Sequence, residues 1–322
     1  MEIICTTILL LAISLALTII AAIVAGLLTL AKYPFKKSFK RGLWILIIPP
    51  LALLYGAFIE RNTLQTREVE IASNNTPQSF DGYRIIHISD IHLRSFQGRE
   101  KTLEKFVDKI NAQEADAILF TGDLVTQKTS ELTAMEGILK KMRAKDGVFS
   151  ILGNHDYSFY NRWKTEEERI KDAEALIDRQ KAMQWDILLN ECRNIARGKD
   201  SISIIGVENT STNRKFRSFG NLQQALQDAT GKFKILMSHD PSHWRSEVID
   251  KTDIDLTLSG HTHSMQFTIF GWSITSYVYK EFNGLYREKN QYLYVNIGLG
   301  ETMFPFRIGA APEMTVITLK KR

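Results

Sequence analysis

The stretch TLSGHTHSMQF (257–267) sets His261 and His263 one residue apart, directly after Gly260 and with no cysteine nearby. The chain has only seven histidines, so two in one short segment ask for a chemical reason. In an extended segment, side chains two apart face the same side, and each imidazole can serve one ion of a pair. Four more clusters offer similar donors: Asp90-Ile91-His92, Gly122-Asp123, Gly153-Asn154-His155-Asp156 and His239-Asp240-Pro241. Buried carboxylates without a partner are costly, and no Lys or Arg stands among these clusters to neutralise them. A divalent metal is the simplest cation. Imidazole with carboxylate suits Zn, Mn or Fe, and one bridging carboxylate can hold two ions roughly 3.5–4 Å apart.

Each cluster follows a short apolar run: YRIIHIS (83–89), DAILFT (116–121), GVFSIL (147–152), FKILMS (233–238) and IDLTLS (254–259). Such runs are strands of the buried type, and open α/β sheets collect ligands at the C-terminal ends of their strands. Between them the spacing turns helical. Leu103, Phe106, Val107 and Ile110 share one helical face, ELTAMEGILKKM (131–142) repeats that spacing, and a charged helix covers 165–182. Residues 265–319 are strand-rich without clear helices, which makes the fold mixed rather than purely doubly wound. Within them FGWSITSYVYKEFNGLY (270–286) is expected in a sheet core, with an apolar groove for a lipid tail as the alternative. His87 lies inside a strand and is expected in the core, His243 opens a helix-like segment, and Asp240 shapes a loop with Pro241.

The N-terminal part is of another kind. Residues 3–31 carry no charge, and about 20 apolar residues suffice to cross a bilayer. A second apolar run, 43–59, contains Pro49-Pro50 and is expected to kink. Lys32, Lys36, Lys37, Lys40 and Arg41 lie between the runs, so residues 1–59 read as two transmembrane helices joined by a basic loop (32–42). By the positive-inside rule that loop is cytoplasmic, which places the catalytic domain outside the inner (cytoplasmic) membrane. Residues 60–80 are expected as a linker with one short strand, REVEIA (67–72), and 81–322 as the soluble domain. The net charge of +5 is concentrated in the first 59 residues, which hold five Lys/Arg against one Glu. No basic face for nucleic acid is implied. Cys5 and Cys192 offer neither a disulfide framework nor a thiolate metal site; Cys192 is a small buried hydrophobe.

Taken in order, the five clusters resemble the motifs of the calcineurin-like metallophosphoesterases, over residues 83 to about 319. The likeness is greatest to a membrane-associated or exported branch, in which Gly-His-Thr-His is usually followed by Gly-Gly-Gln. Here Ser264-Met265 stand in place of the two glycines, keeping Gln266. The resemblance implies a four-layer αββα sandwich, of α+β or α/β class, behind the transmembrane hairpin. It implies two divalent ions (Mn, Zn or Fe): one held by Asp90, His92 and His263, the other by Asn154, His239 and His261, with Asp123 bridging. A water activated between the ions would attack phosphorus in line. His155 would protonate or stabilise the leaving oxygen, and Asp156 would orient His155 by a hydrogen bond.

The expected activity is hydrolysis of a phosphoester or pyrophosphate bond in a cell-envelope or lipid-linked substrate. A sharper form is the UDP-2,3-diacylglucosamine pyrophosphatase of lipid A synthesis, a member of that branch. The outward orientation counts against it, because nucleotide-linked substrates are cytoplasmic. A non-catalytic, metal-binding membrane scaffold is the third reading. Loss of the two glycines is expected to narrow or reshape the pocket beside His263.

Overall fold

The structure, a computed structural model, describes residues 2–322. It opens with helix α1 (Glu2–Leu30) and, after a tight turn at 31–34, α2 (Phe35–Gly42). A 3₁₀ segment, Leu43–Ile47, leads into α3 (Ile48–Phe58). The segments Ile4–Leu30 and Phe35–Asn62 are each long and apolar enough to cross a membrane. The stretch read as a basic loop is therefore mostly helical, and the chain reverses over four residues. Pro49 and Pro50 fall in the first turn of α3, where a missing N–H leaves no helical bond unmade.

Twelve strands follow among the described residues: β1 (Gln65–Ser73), β2 (Arg84–Ile88), β3 (Ala117–Phe120), β4 (Val148–Ser150), β5 (Trp185–Ile187), β6 (Glu191–Arg197), β7 (Asp200–Gly206), β8 (Phe233–Met237), β9 (Leu256–Ser259), β10 (Gly284–Glu288), β11 (Gln291–Val295) and β12 (Glu313–Lys321). They form two mixed six-stranded sheets, ordered β1-β12-β2-β3-β4-β5 and β10-β11-β9-β8-β7-β6. Strands β2 to β5 run parallel, as do β7, β8 and β9. Because β2, β3, β4, β8 and β9 each precede one donor cluster, parallel pairing brings all five clusters to the C-terminal rims of the two sheets.

The sheets pack face to face. Ile71, Ile85, Leu119, Ile317 and Phe149 of the first meet Ile202, Ile204, Phe233, Ile235, Leu256 and Leu258 of the second in one buried cluster. The outer face of the first sheet is covered by α4 (Glu100–Asn111), which buries Leu103, Phe106, Val107 and Ile110, as their spacing predicts. Leu176 of the long charged helix Glu166–Ala182 joins the same layer. Trp244, Val248 and Leu222 cover the outer face of the second sheet, with half-buried Cys192 packed beside them. The result is the expected helix–sheet–sheet–helix arrangement.

Three local expectations differ. Residues 131–142 are not one helix; a 3₁₀ turn at Thr129–Leu132 and a single α-turn at Glu136–Leu139 share the span, with Gly137 inside it. Residues 270–283 are not sheet core. They form an irregular loop in which Phe270 is fully exposed, and strand structure resumes only at Gly284. Finally, the short strand expected at 67–72 is present but longer: as β1 it spans Gln65–Ser73, pairs with β12 in parallel over nine residues and buries Ile71 between the sheets. A fragment covering residues 60–322 is accordingly expected to fold, whereas one beginning at residue 74 exposes β12 and loses Ile71. Circular dichroism melting and size-exclusion chromatography of the two fragments check this; a cooperative melt for the shorter one would overturn it.

Candidate metal centre

The two sheet rims deliver their donors in an ordered way. Asp90, His92 and His239 are fully buried, and Asp123 and His263 nearly so. Each carboxylate is pinned by one oxygen and presents the other inward. Asp90 Oδ2 accepts the His261 N–H at 2.9 Å, leaving Oδ1 at 3.2 Å from His263 Nε2 and 3.7 Å from His92 Nε2. Asp123 Oδ1 accepts the His155 N–H at 2.8 Å, leaving Oδ2 at 3.4 Å from His92 Nε2 and 3.2 Å from His239 Nε2. Asp123 thus stands between two groups of donors: Asp90, His92 and His263 on one side, His239 and His261 on the other.

The free lone pairs at this point lack protons to face. His239 Nδ1 donates to the Thr121 carbonyl at 2.7 Å, which turns the lone pair of Nε2 toward Asp123 and, at 3.2 Å, toward His261 Nδ1. Asn154 spends its Nδ2 on the Tyr160 hydroxyl at 2.9 Å, and its Oδ1 is buried with no partner. Asp90 Oδ1 and both ring nitrogens of His92 are likewise buried without a hydrogen bond. Acceptors aimed at acceptors in a dry site are stable only with a cation among them. The electrostatics show the same demand for positive charge, which a proton on His239 meets when no ion is bound. Burial alone disfavours a charged His239, yet the carboxylates of Asp123 and Asp90 outweigh it and push the ring up to about 10. Burial also opposes ionisation of Asp90, but the surrounding histidines hold it well below the usual carboxylate range. The oxygen and imidazole donors, their count and their orphaned atoms fit two divalent ions.

Geometry of this kind needs unusual backbone. Asp90, His92, Asp123, His261 and His263 all have positive φ, between 43° and 71°, a region that non-glycine residues avoid. Two glycines allow the close approach. A Cβ on Gly153 would lie 2.2 Å from Asp123 Oδ1, and one on Gly260 would lie 2.2 Å from Asp90 Oδ2. Ser264 and Met265, which replace the glycine pair expected after His263, keep the left-handed conformation at φ 48° and 51°. Each costs about 1 kcal/mol there. The loop is held by Ser273, whose hydroxyl donates to the Ser264 carbonyl at 2.7 Å. Met265 lines the cleft beside His263, which gives it an apolar wall where a glycine would leave space.

His155 lies on the open side of the cluster. Its Nδ1 donates to the Thr126 carbonyl at 2.6 Å, its ring stacks on Tyr160 with centroids 4.0 Å apart, and it lines a cleft of about 670 Å³. Burial pushes its pKa below the ordinary value. Asp156 does not orient it. Both Asp156 oxygens are occupied by four backbone amides, those of Gly153, Asp123, Leu124 and Val125, at 2.7 to 3.1 Å. Its carboxylate clamps the loop that carries Asp123, and burial together with the Asp123 charge raises it to about 7.

Several participants carry no sequence signal. The carbonyls of Thr121 and Thr126 fix two histidines, and a carbonyl belongs to every residue. Tyr279 accepts or donates at 2.8 Å to His261 Nε2 and approaches Asp240 at 3.4 Å, so Nδ1 of His261 is the nitrogen left for the cluster. Arg307 is fully buried, donates to the carbonyls of Ala310, Ile297, Gly298 and Gly300, and lies 3.4 Å from His263 Nδ1. A lone arginine in the apolar PFRIGAA segment was the available hint. His87 sits in the core with Nε2 3.0 Å from the Thr121 hydroxyl, and His243 is buried at a helix start. Neither joins the cluster.

Residues 83–265 match the family described as calcineurin-like phosphoesterase. A transmembrane protein with metallophosphoesterase domain from Danio rerio is 30% identical over 293 residues, covering 88% of this chain and 64% of its own length. YkuE of Bacillus subtilis, an uncharacterized metallophosphoesterase, is 30% identical over 276 residues, covering 83% of this chain and 89% of its own. Among solved structures, phosphopantetheinyl hydrolase from Mycobacterium tuberculosis covers 66% of this chain and 88% of its own, with 12% identity and a TM-score of 0.42.

Two outcomes follow from the geometry. Gly153→Ala is expected to weaken Mn²⁺ binding on the order of tenfold or more, read by isothermal titration, because the added methyl displaces Asp123. Arg307→Ala leaves four carbonyls without a donor and is expected to cost at least about 3 kcal/mol in denaturant unfolding. An unchanged midpoint would refute its positioning role.

Proposed function

The chain belongs to the calcineurin-like phosphoesterase family, and on that premise we propose a membrane-anchored, dinuclear-metal phosphoesterase acting on a lipid-linked or other cell-envelope substrate. The observation that carries this reading is the set of buried acceptors converging on Asp123. One divalent ion (Mn, Zn or Fe) is assigned to Asp90, His92 and His263. The other is assigned to Asn154, His239 and His261, with Asp123 shared. Two bound ions supply concentrated positive charge, which activates a water and offsets charge on the phosphoryl oxygens.

The chain's own residues do the rest. Thr121 and Thr126 fix the ring orientation of His239 and His155. With its Nδ1 proton committed to Thr126, His155 has only Nε2 to turn toward a substrate in the cleft. Burial lowers the pKa of the ring, so at rest Nε2 carries a lone pair; once an anionic phosphate in the cleft stabilises the imidazolium, His155 gives its Nε2 proton to the leaving oxygen. Asp156 keeps Asp123 in place and takes no part in proton transfer. Met265, Met303, Ile274 and Val278 give the cleft an apolar wall, which suits a substrate with a hydrocarbon part.

The basic stretch between the two apolar runs supports an outward-facing domain, as the positive-inside rule has it. That orientation counts against a nucleotide-linked lipid A precursor, the sharper version of the reading.

The test is hydrolysis of bis(p-nitrophenyl) phosphate by the detergent-solubilised full chain with Mn²⁺ or Zn²⁺. His155→Ala is expected to lower kcat on the order of 10²- to 10⁴-fold with metal content unchanged. Asp123→Asn is expected to abolish activity together with metal binding. Release of UMP from UDP-2,3-diacylglucosamine would establish the lipid A version and reverse the orientation. Bound metal without hydrolysis of either compound would leave a membrane scaffold.

A further inference from the structure

The mouth of the cleft borders an apolar surface that the chemistry does not use. Ile269, Phe270, Trp272, Ile274, Tyr277 and Val278 are all exposed, Tyr277 by 79% and Phe270 completely. The tip is a tight hairpin, in which Ile269 and Trp272 exchange two backbone bonds of 2.9 Å around Phe270-Gly271. Contiguous apolar exposure of this kind marks a contact surface.

Its position says what it contacts. At the root of the loop, Thr268 N–H donates to the Ile308 carbonyl at 2.8 Å, and Ile308 N–H to the Gln266 carbonyl at 2.9 Å. The same segment lies against α3, since a Cβ on Gly56 would meet the Arg307 carbonyl at 2.6 Å and the Ile308 side chain at 2.9 Å. Gly56 belongs to the second membrane-length segment, one turn before its first charged residues on that side, Glu60 and Arg61. Phe270 lies two residues beyond Thr268, a reach on the order of 7 Å. The loop is therefore rooted at the depth where the span leaves the bilayer, the zone in which Trp and Tyr side chains are enriched. Ile274 and Val278 belong both to this surface and to the cleft wall, so the apolar surface continues toward the metal centre.

We infer that the 269–278 loop is seated in the surface of the bilayer and sets the mouth of the metal cleft on the lipid, so that a membrane amphiphile presents its phosphate without leaving the membrane. The seat rests on geometry alone; the phosphate cargo rests on the phosphoesterase reading above.

The test uses the full chain with Cys5→Ser and Cys192→Ser, carrying one new cysteine by Phe270→Cys, Tyr277→Cys or Lys199→Cys. Lys199 lies in the β6–β7 turn, at the rim opposite the site. Each variant is labelled with a bimane fluorophore and reconstituted into phosphatidylcholine–phosphatidylglycerol vesicles. Doxyl-labelled lipid is expected to remove at least about half the emission at positions 270 and 277 and little at 199, with aqueous iodide giving the reverse. Iodide quenching at 270 and 277 equal to that at 199 would overturn the inference. So would shielding from both quenchers, which would mean a protein covers the loop. Because nothing is turned over, failure of the phosphoesterase reading would appear separately, as absence of hydrolysis with the seat still measured.

Discussion

Two carboxylates and four imidazoles are buried together at the meeting of two sheet rims, and the surrounding structure holds their lone pairs inward. Asp90 and Asp123 solve the problem alike, anchoring one oxygen on a backbone amide from another motif and leaving the second free. That arrangement demands left-handed backbone at five donor residues and bare glycines at 153 and 260. Clamps follow: Asp156 across four amides on the first sheet, Arg307 across four carbonyls on the other side. Strain, small residues and buried charges are consequences of a single requirement, which is mutual proximity of groups that repel unless a cation joins them.

Much of this was legible in the sequence because parallel sheets translate order into place. Apolar runs ending in Asp, Asn or His announce strand ends, and parallel pairing puts strand ends together whatever the intervening loops. The alternation itself indicated only a mixed α/β fold; the αββα layering came from the family resemblance that the five clusters carry. What stayed hidden was everything carried by backbone or by a lone side chain of common type. Thr121 and Thr126 act through carbonyls, Tyr279 through a hydroxyl within an aromatic stretch, and Arg307 through a position no periodicity marks. The expected partnership of Asp156 with His155 failed for a similar reason: adjacency in sequence suggested a pair, but four nearby amides claimed both carboxylate oxygens. The aromatic stretch at 270–286 misled because composition cannot say whether an apolar residue faces a core or solvent.

The N-terminal apolar helices and the globular domain are not joined by a free tether. Arg61, three residues past α3, donates to the Pro305 carbonyl at 2.8 Å and pairs with buried Glu301 at 2.8 Å. Arg99 of the loop after β2 donates to the Arg61 carbonyl at 3.0 Å. The segment they grip, 301–308, carries Arg307, which lies 3.4 Å from His263 Nδ1. The end of the second apolar helix and the donor cluster are thus joined through one short segment of chain.

The pairing of β1 with β12 has a consequence in time. During synthesis β1 emerges immediately behind the hairpin, and its partner follows about 240 residues later, since it begins at Glu313. At bacterial-to-eukaryotic elongation rates that interval is about 10–50 s. Until then β1, an edge strand whose pairing partner is β12, has no partner strand. Arg67, Glu68 and Glu70 interrupt its apolar residues with charge, the pattern that keeps an orphan strand from pairing with the wrong neighbour. Completion of the first sheet is thus among the last events of biogenesis, and it comes after His263 is available.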